Sequence, residues 1–325
     1  MTIGLKPGRF YRGAELRCLN LLLTYEDGCR GRCSYCGLAQ ERLVPSSGRT
    51  FIRVRWPVYP LETVLRQVEN HPHSLERVCI SMLTHPKALQ DTVELVRRFK
   101  GETDLSISAL VAPSAMADLE GSLTAIKDAG ADRCGIAIDA ATPQLFARHR
   151  GEGVKGPHRW ERFWQAVETA VQVFGPFKVG IHLIVGLGES EEEMVRVIQE
   201  AQDQGAHTHL FSFFPEPGSA LAAHLQPPLG QYRRIQLARY LINERGHTAQ
   251  KMTFSEGKIT DFGYPDLAEV IEEGEAFLTS GCPGKTCRYA CNRPYGNERP
   301  SEAIRNFPFP PEPSDIAEIK EQLAW

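Results

Sequence analysis

Three cysteines lie within eight residues near the start of the chain, in the glycine-rich stretch YEDGCRGRCSYCGLAQ. They are Cys29, Cys33 and Cys36, spaced C-x3-C-x2-C. Thiolates are soft ligands that favour zinc, copper(I) or an iron–sulfur cluster. A zinc knuckle needs a fourth ligand, and no second cysteine pair follows within forty residues. Three cysteines on a [4Fe-4S] cluster leave one iron open for a substrate or cofactor, and the spacing favours this interpretation.

A second group of three cysteines lies near the end of the chain, in CPGKTCRYAC. Cys282, Cys287 and Cys291 are spaced C-x4-C-x3-C. Either a zinc clip that staples the tail or a second, auxiliary [4Fe-4S] cluster would explain them. The remaining cysteines, of nine in total, are isolated in apolar runs and are expected to pack as small hydrophobic side chains. They are Cys18, Cys79 and Cys134.

The composition of the 325 residues is that of an ordinary globular protein, with 42% apolar and 24% charged residues. A net charge of −3 gives no basic field, so nucleic acid is not expected as a partner. No apolar run approaches the roughly 18 residues of a spanning helix, and the start MTIGLKPGRF lacks the apolar core of a signal peptide. We therefore expect a cytoplasmic protein that does not bind a membrane.

Short apolar runs alternate with amphipathic helical patterns through most of the chain. Ser190 followed by Glu193 predicts a capping box at the start of one of these helices. Six strands that alternate with six helices imply parallel pairing, and the predicted fold class is α/β, a partial (β/α)6 TIM barrel. The runs span 18–24, 77–83, 104–110, 132–138, 177–185 and 207–214.

The alternation divides the chain into three parts. They are an N-terminal segment at 1–17, the barrel at 18–250 and a C-terminal extension at 251–325 that carries the second cysteine cluster. A barrel places its chemistry at the C-terminal ends of its strands, and the first cysteine loop follows the first strand at that end. The extension is expected to fold back so that the second cluster faces the barrel mouth. A doubly wound sheet is the weaker alternative, because Gly186-Leu187-Gly188 lacks the third glycine of a dinucleotide fingerprint.

The C-x3-C-x2-C motif, with Tyr35 before its last cysteine and a βα repeat around it, resembles the radical S-adenosylmethionine superfamily. The resemblance implies that Cys29, Cys33 and Cys36 hold a [4Fe-4S] cluster whose open iron is chelated by S-adenosylmethionine. Reduction then cleaves the sulfonium to methionine and a 5′-deoxyadenosyl radical, which abstracts hydrogen from an unactivated carbon.

The same resemblance implies three contacts to the cofactor at the strand ends. The backbone of Tyr35 would meet the adenine. Ser81 stands where the amino-group contact usually lies, although CISML replaces the superfamily's Gly-Gly-Glu. Asp139, after the fourth strand, could hold the ribose hydroxyls, or it could cap a helix.

Two arginines and a glycine complete the predicted cofactor site. Arg162 in HRWERF resembles the arginine that pairs with the methionine carboxylate in the biotin-synthase branch, with Arg159 as its competitor. A solvated helix face is the alternative for Arg162. The stretch GIHLIVGLGES resembles the strand-five motif near the adenine and contributes Gly186.

The run NRPYGNERP after the tail cysteines and AHTHLFSFFPEPGS before them resemble the two-component lipoyl synthases. This implies a sulfurtransferase that inserts sulfur at C6 and C8 of a carrier-bound octanoyl-lysine to form lipoyl-lysine. The second cluster would supply the sulfur, with Ser301, exogenous sulfide or a substrate atom as its fourth ligand. An apolar channel for the octanoyl chain could be lined by Leu210, Phe211, Phe213 and Phe214, with ordinary barrel core as the alternative for alternate residues of this strand.

The implied partners are a homologous radical S-adenosylmethionine subunit, an octanoylated carrier (a lipoyl domain or H protein) and a reducing protein such as ferredoxin or flavodoxin. Two alternatives stay open. A related enzyme could act on another substrate, by small-molecule sulfur transfer, dehydrogenation or rearrangement, with the second cluster as an electron relay. A zinc-stabilised binding module without catalysis is the alternative from another class.

Overall fold

A computed structural model describes residues 2–7, 10–40, 56–292 and 302–323 of the protein. Six parallel strands form one sheet in the order of the chain, so β1 and β6 are its edges. The predicted α/β fold with a partial barrel of six strands is confirmed. The strands are β1 Cys18–Leu22, β2 Arg77–Ser81, β3 Ser106–Val111, β4 Arg133–Asp139, β5 Val179–Val185 and β6 His207–Ser212.

Helices lie between the strands and after the last of them. The predicted capping box is present at the start of α6, where the Ser190 hydroxyl accepts from the Glu193 N–H at 3.2 Å. The Glu193 carboxylate accepts in return from the Ser190 N–H at 2.8 Å. The helices are α1 Leu61–Glu69, α2 Ala88–Glu102, α3 Leu119–Ala129, α4 Pro143–His149, α5 Trp160–Phe174, α6 Glu191–Asp203 and α7 Leu229–Glu244.

Each strand has two faces because its side chains alternate. One face packs on the helices and forms the main apolar core, with Ile80, Ile107, Ile136 and Ile181 fully buried. The other face lines the inside of the barrel. Its C-terminal end is the barrel mouth, and its N-terminal end is the barrel floor.

The chain after α7 forms the tail. A two-stranded antiparallel hairpin comes first, with β7 at Thr253–Ser255 and β8 at Lys258–Asp261. Then follow α8 at Leu267–Glu273 and α9 at Pro313–Leu323. Buried Arg233 on α7 binds Gln322 of α9 at 2.8 Å and the carbonyl of Arg305 at 2.6 Å, so the tail is fixed to the barrel. The division at 17/18 and 250/251 stays a prediction.

Candidate active site and a second group of thiols

The first cysteine loop follows β1 at the barrel mouth, and neighbouring loops hold its backbone. The Arg30 N–H donates to the Thr84 carbonyl at 2.8 Å, and the Ser34 N–H donates to the His149 carbonyl at 2.9 Å. Cys29, Cys33 and Cys36 all line one cavity of about 1370 Å³, including its open entrance. The structure therefore brings the three predicted ligands together.

The donor set of this loop fits an iron–sulfur cluster. The Gly31 N–H points at the sulfur of Cys29 at 3.3 Å, and the Leu38 N–H points at that of Cys36 at 3.4 Å. Such N–H groups stabilise thiolates and tune a bound cluster. A Cβ added at Gly31 would lie 3.2 Å from the Cys29 sulfur, so a side chain there would crowd that sulfur.

Burial raises the pKa values of the Cys33 and Cys36 thiols, so iron must displace protons that these thiols hold. In the described part of the chain, no three His, Cys, Asp or Glu side chains converge on a single metal ion. On a four-iron cluster each cysteine binds its own iron, so the sulfurs need not converge on one point.

A buried polar group at the end of β4 faces the same cavity. The Tyr35 hydroxyl donates to Asp139 at 2.6 Å, and the Arg150 guanidinium pairs with the same carboxylate oxygen at 3.1 Å. Arg150 also donates to the carbonyl of Ile138 at 3.0 Å and hydrogen-bonds Cys33. Asp139 has a left-handed backbone conformation, with a φ of +66°. It lies next to a register shift between β4 and β5, so the backbone changes direction at the end of β4.

Ser81 lies at the cavity and Gly186 does not. Ser81 is buried at the end of β2 and lines the cavity, where the sequence places it. Gly186 lies in the turn after β5, outside the described lining, with a φ of +106°. A Cβ there would come within 2.6 Å of Pro227, so the turn requires glycine for its geometry and its close approach.

The structure does not bring the two predicted arginines to the cavity. Arg159 is exposed at the start of α5 and donates to the carbonyls of Gly156 and His158 at 3.0 and 2.8 Å. Arg162 donates to the carbonyls of Met116 and Ala117 at 2.6 and 2.9 Å, which ties α5 to the loop after β3. Of the described residues that line the cavity, the one arginine is Arg150, which sequence analysis missed.

Apolar side chains form much of the cavity wall, which His182 of β5 also lines. Phe211, Phe213 and Phe214 line it as predicted for the channel, together with Leu22 and Leu110 from inside the barrel. Leu210 does not, because it alternates with Phe211 and packs in the core on the helix side of β6. Its expected place in the channel is therefore wrong.

Buried Glu189 holds the turn after β5 beside the site. Its carboxylate accepts from the N–H groups of Gly186 at 2.6 Å and Leu187 at 2.9 Å. Burial nevertheless raises the pKa of Glu189 from 4.5 to about 7. Between these values the folded protein holds a proton that the unfolded chain has released, so the stability from this group falls as the pH rises through the window.

We expect Glu189→Gln to remove this pH dependence. Wild type should lose stability between pH 4.5 and 7 through this group, by about 3 kcal/mol at most. The variant should show a flatter profile of unfolding free energy, measured by urea titration across that range. Exposed Glu168→Gln on α5 is the control and should keep the wild-type slope. An unchanged slope in Glu189→Gln would contradict the assignment.

The tail cysteines lie at the barrel floor, and the expectation that they face the mouth is wrong. Pro283 accepts at 2.6 Å from Arg77, the first residue of β2, and the Cys291 sulfur lies 3.8 Å from the Asn20 amide oxygen on β1. The reason is the direction of α7. Asn243, near the end of α7, accepts at 3.0 Å from the N–H of Thr208, near the start of β6. The helix α7 therefore runs from the mouth back to the floor, and the tail begins there.

The three tail cysteines have different surroundings. The Ser108 hydroxyl on β3 hydrogen-bonds Cys282, and the Cys18 thiol on β1 hydrogen-bonds Cys291. Cys287 lies against Glu76, whose carboxylate accepts the Cys287 N–H at 3.3 Å and the Thr286 N–H at 2.7 Å. Ser301, the predicted fourth ligand, is outside the described residues.

Among the helices described, none has the length and apolar character needed to cross a membrane.

Known proteins match this chain at the level of a superfamily. The sequence profile of the Radical SAM superfamily matches residues 24–201. GTP 3′,8-cyclases of Acaryochloris marina and Rippkaea orientalis are each 28% identical over 89 and 88 residues, 27% of this chain and 26% of theirs. The chain thus matches about a quarter of the length of these curated relatives. The crystal structure of HydG, a maturase of the [FeFe]-hydrogenase, has a TM-score of 0.54 at 14% identity, covering 69% of this chain and 49% of that one. This likeness shows the fold.

Proposed function

The chain belongs to the Radical SAM superfamily and is a radical S-adenosylmethionine enzyme, and on that premise we propose that it inserts sulfur at unactivated carbons of an acyl chain. The specific reaction proposed is conversion of a protein-bound octanoyl-lysine to lipoyl-lysine, by this chain as one subunit of a two-component lipoyl synthase. One observation supports it. Two groups of thiols lie at the opposite ends of one barrel interior, and apolar side chains line much of the cavity at its mouth.

The residues at the mouth suit a bound [4Fe-4S] cluster and S-adenosylmethionine. Cys29, Cys33 and Cys36 would hold three irons and leave one open. When reduced, the cluster supplies the electron that cleaves the sulfonium. The Asp139 carboxylate, held by Tyr35 and Arg150, suits the hydroxyls of a ribose, and Arg150 suits a carboxylate because its guanidinium can bind one through a fork of two N–H groups.

The interior below suits an unbranched aliphatic chain. Leu22, Leu110 and Phe211 face the cavity and exclude water from the region where a carbon-centred radical would form. Water exclusion protects reactive intermediates from side reactions. A chain that enters at the mouth would point its far end toward the floor, where the tail thiols lie.

The chemistry balances with one S-adenosylmethionine per sulfur. One C–H bond breaks, and its hydrogen leaves on the adenosyl fragment of the cofactor. The second cluster, which Cys282 and Cys291 would help to hold, would supply the sulfide for one C–S bond and would accept the remaining electron. A ferredoxin or flavodoxin would supply the electron for each cleavage, and a lipoyl domain or H protein would present the octanoyl group.

The test is a single turnover with an octanoylated lipoyl domain, using protein whose clusters were reconstituted with heavy-isotope sulfide. We expect 5′-deoxyadenosine, heavy sulfur in the lipoyl domain by mass spectrometry, and loss of acid-labile sulfide from the enzyme. A Cys282→Ala/Cys291→Ala variant is the control, and it should cleave the cofactor without forming a C–S bond. The assay is repeated with the homologous partner subunit present.

Two outcomes would contradict sulfur insertion. If 5′-deoxyadenosine forms while the second cluster keeps all its sulfide, the cluster relays electrons and the reaction is a dehydrogenation or rearrangement. If the tail binds zinc, the protein holds no second store of sulfide. Neither outcome would contradict radical S-adenosylmethionine chemistry at the mouth.

A further inference from the structure

Four cysteines from three separate parts of the sequence meet at the barrel floor. We propose that Cys18 of β1 and Cys79 of β2 join Cys282 and Cys291 of the tail as the ligands of the second iron–sulfur cluster, with Cys287 outside the ligand set. This inference rests on the proposed function, since sulfur insertion requires a second cluster. It assigns two of that cluster's four ligands to strands of the sheet and the other two to the tail.

Strand register places Cys18 and Cys79 inside the barrel. Leu22 and Ser81 are paired in register and both line the cavity at the mouth. Side chains alternate along a strand, so residues two and four positions earlier share that face. Cys79 precedes Ser81 by two residues, and Cys18 precedes Leu22 by four. Both therefore face the interior, one and two layers below the mouth.

The tail brings its cysteines to the same layers. The Cys18 and Cys291 thiols lie within hydrogen-bonding distance of each other, and the Cys18 thiol also donates to the Leu19 carbonyl at 3.8 Å. The Cys291 sulfur lies 3.8 Å from Asn20, whose register partner on β2 is Cys79. Cys282 is hydrogen-bonded to Ser108, which is the register partner of Cys79 on β3. Cys79 is thus flanked on both sides by strand residues that contact a tail cysteine.

Cys287 has different neighbours. Glu76 lies just before β2, at the rim of the floor, and binds the backbone N–H of Thr286 and Cys287 and the Thr286 hydroxyl. Arg17 pairs with the same carboxylate at 2.8 Å. This arrangement fixes the loop that carries Cys287 at the outside of the floor, which suits a structural role for that loop.

The floor also supplies donors and positive charge for thiolate ligands. Arg77 is buried and makes two bonds to Asp132, at 2.7 and 2.8 Å. It donates in addition to the Ser108 hydroxyl at 2.8 Å, which leaves the Ser108 proton directed at Cys282. A fixed donor and a buried cation beside sulfur are the features that stabilise a cluster and set its potential.

Packing as small hydrophobic side chains is the competing explanation for strand cysteines. Cys134 is such a residue, because it lies on the helix side of β4 and belongs to the main apolar core. Cys18 and Cys79 face the thiols of the tail instead. Cys134 therefore provides a matched control of the same residue type, strand location and burial as Cys18.

Ligation of an assembled [4Fe-4S] cluster at this site exchanges protons and no electrons; during assembly from ferric iron and sulfide, a thiol reductant in the reconstitution mixture reduces two of the four irons. Each of the four thiols loses its proton to solvent and forms one S–Fe bond. The iron and sulfide come from solution during assembly. The floor site would then be retained when the ligands at the mouth are absent, which permits a direct test.

The experiment uses the full chain with Cys29→Ala, Cys33→Ala and Cys36→Ala, so that only the floor can hold a cluster. Iron, acid-labile sulfide and zinc per chain are measured after anaerobic reconstitution with iron and sulfide, together with the electron paramagnetic resonance of the reduced protein. We expect one four-iron cluster. Adding Cys18→Ala or Cys79→Ala should lower the iron content at least about fivefold, whereas adding Cys287→Ala or Cys134→Ala should leave it unchanged.

Serine variants cover the case in which an alanine variant does not fold. Cys18→Ser and Cys79→Ser keep the size of the side chain, and each should lose iron or shift the resonance signal while near-ultraviolet circular dichroism stays that of the parent. Retained iron and signal in both, with loss in Cys287→Ala, would overturn the ligand assignment and leave the second cluster and the proposed function standing. Zinc, or no metal, in the parent protein would overturn both.

Discussion

Cys33→Ala is expected to abolish reductive cleavage of S-adenosylmethionine and to remove the cluster at the mouth from the loaded enzyme. Cys33 is buried in the centre of the loop at the mouth and contacts Arg150. With only two thiols left, the loop does not hold the cluster. The electron that cleaves S-adenosylmethionine is then not supplied. We expect the rate of 5′-deoxyadenosine formation to fall roughly 1,000-fold or more, which corresponds to about 4 kcal/mol in the barrier.

Two measurements make this result specific. Iron and sulfide per chain should fall by one cluster in Cys33→Ala, and the resonance signal of the proposed floor cluster should be unchanged. Cys134→Ala removes a thiol that is also buried but lies in the apolar core, and it should keep the wild-type iron content and cleavage rate. Cleavage at the wild-type rate by Cys33→Ala would show that this loop does not hold the cluster.

Much of the fold and of the first thiol site followed from local patterns. The alternation of strands and helices predicted the order of the sheet, because parallel neighbours joined by right-handed crossovers leave few other topologies. Cys29, Cys33 and Cys36 lie within one loop, so their meeting needed no knowledge of distant contacts. The Ser190 capping box is equally local and was predicted for the same reason.

Residues brought together by distant contacts were not predictable in this way. Arg150 is one of three consecutive basic residues at the end of α4. No sequence pattern distinguishes it from Arg148 as the arginine that faces the cavity. Its role depends on the left-handed turn at Asp139 and on the cysteine loop crossing above it. The arginines of α5, by contrast, matched a motif but are bound to carbonyls outside the cavity.

The position of the tail was predictable in principle. A helix that follows a strand in a barrel runs antiparallel to it, so an extension after α7 must start at the floor. The meeting of the tail with Cys18 and Cys79 required more, because it depends on the register that places these cysteines inside the barrel. A shift by one residue would turn both toward the helices.

Arg150→Ala is expected to destabilise the protein and to weaken binding of S-adenosylmethionine. Arg150 and Asp139 form a nearly buried ion pair, with side chains 8% and 13% exposed. Removing the cation leaves the Asp139 carboxylate without its counter-charge, which costs roughly 3–5 kcal/mol of unfolding free energy. The guanidinium also stacks 4.8 Å from the ring of Phe163, a contact that Arg150→Lys would lose in part.

The change in stability and the change in binding can be separated. Adding Asp139→Asn to Arg150→Ala removes the second charge, so the double variant should regain part of the lost unfolding free energy, measured by urea titration. It should not regain affinity. Affinity is measured by calorimetry on samples matched for iron content, and loss of a charge-assisted contact should raise Kd about 10- to 100-fold.

Arg162→Ala is the decisive comparison because it tests the arginine that the sequence motif selects. Its guanidinium is bound to the carbonyls of Met116 and Ala117, so the variant should lose some stability and keep the wild-type Kd. Weaker binding by Arg162→Ala together with unchanged binding by Arg150→Ala would place the carboxylate partner on α5 and contradict the site described here. With the reverse result, the charge that holds the cofactor lies at the end of α4, in contact with both the cysteine loop and the strand end that face it.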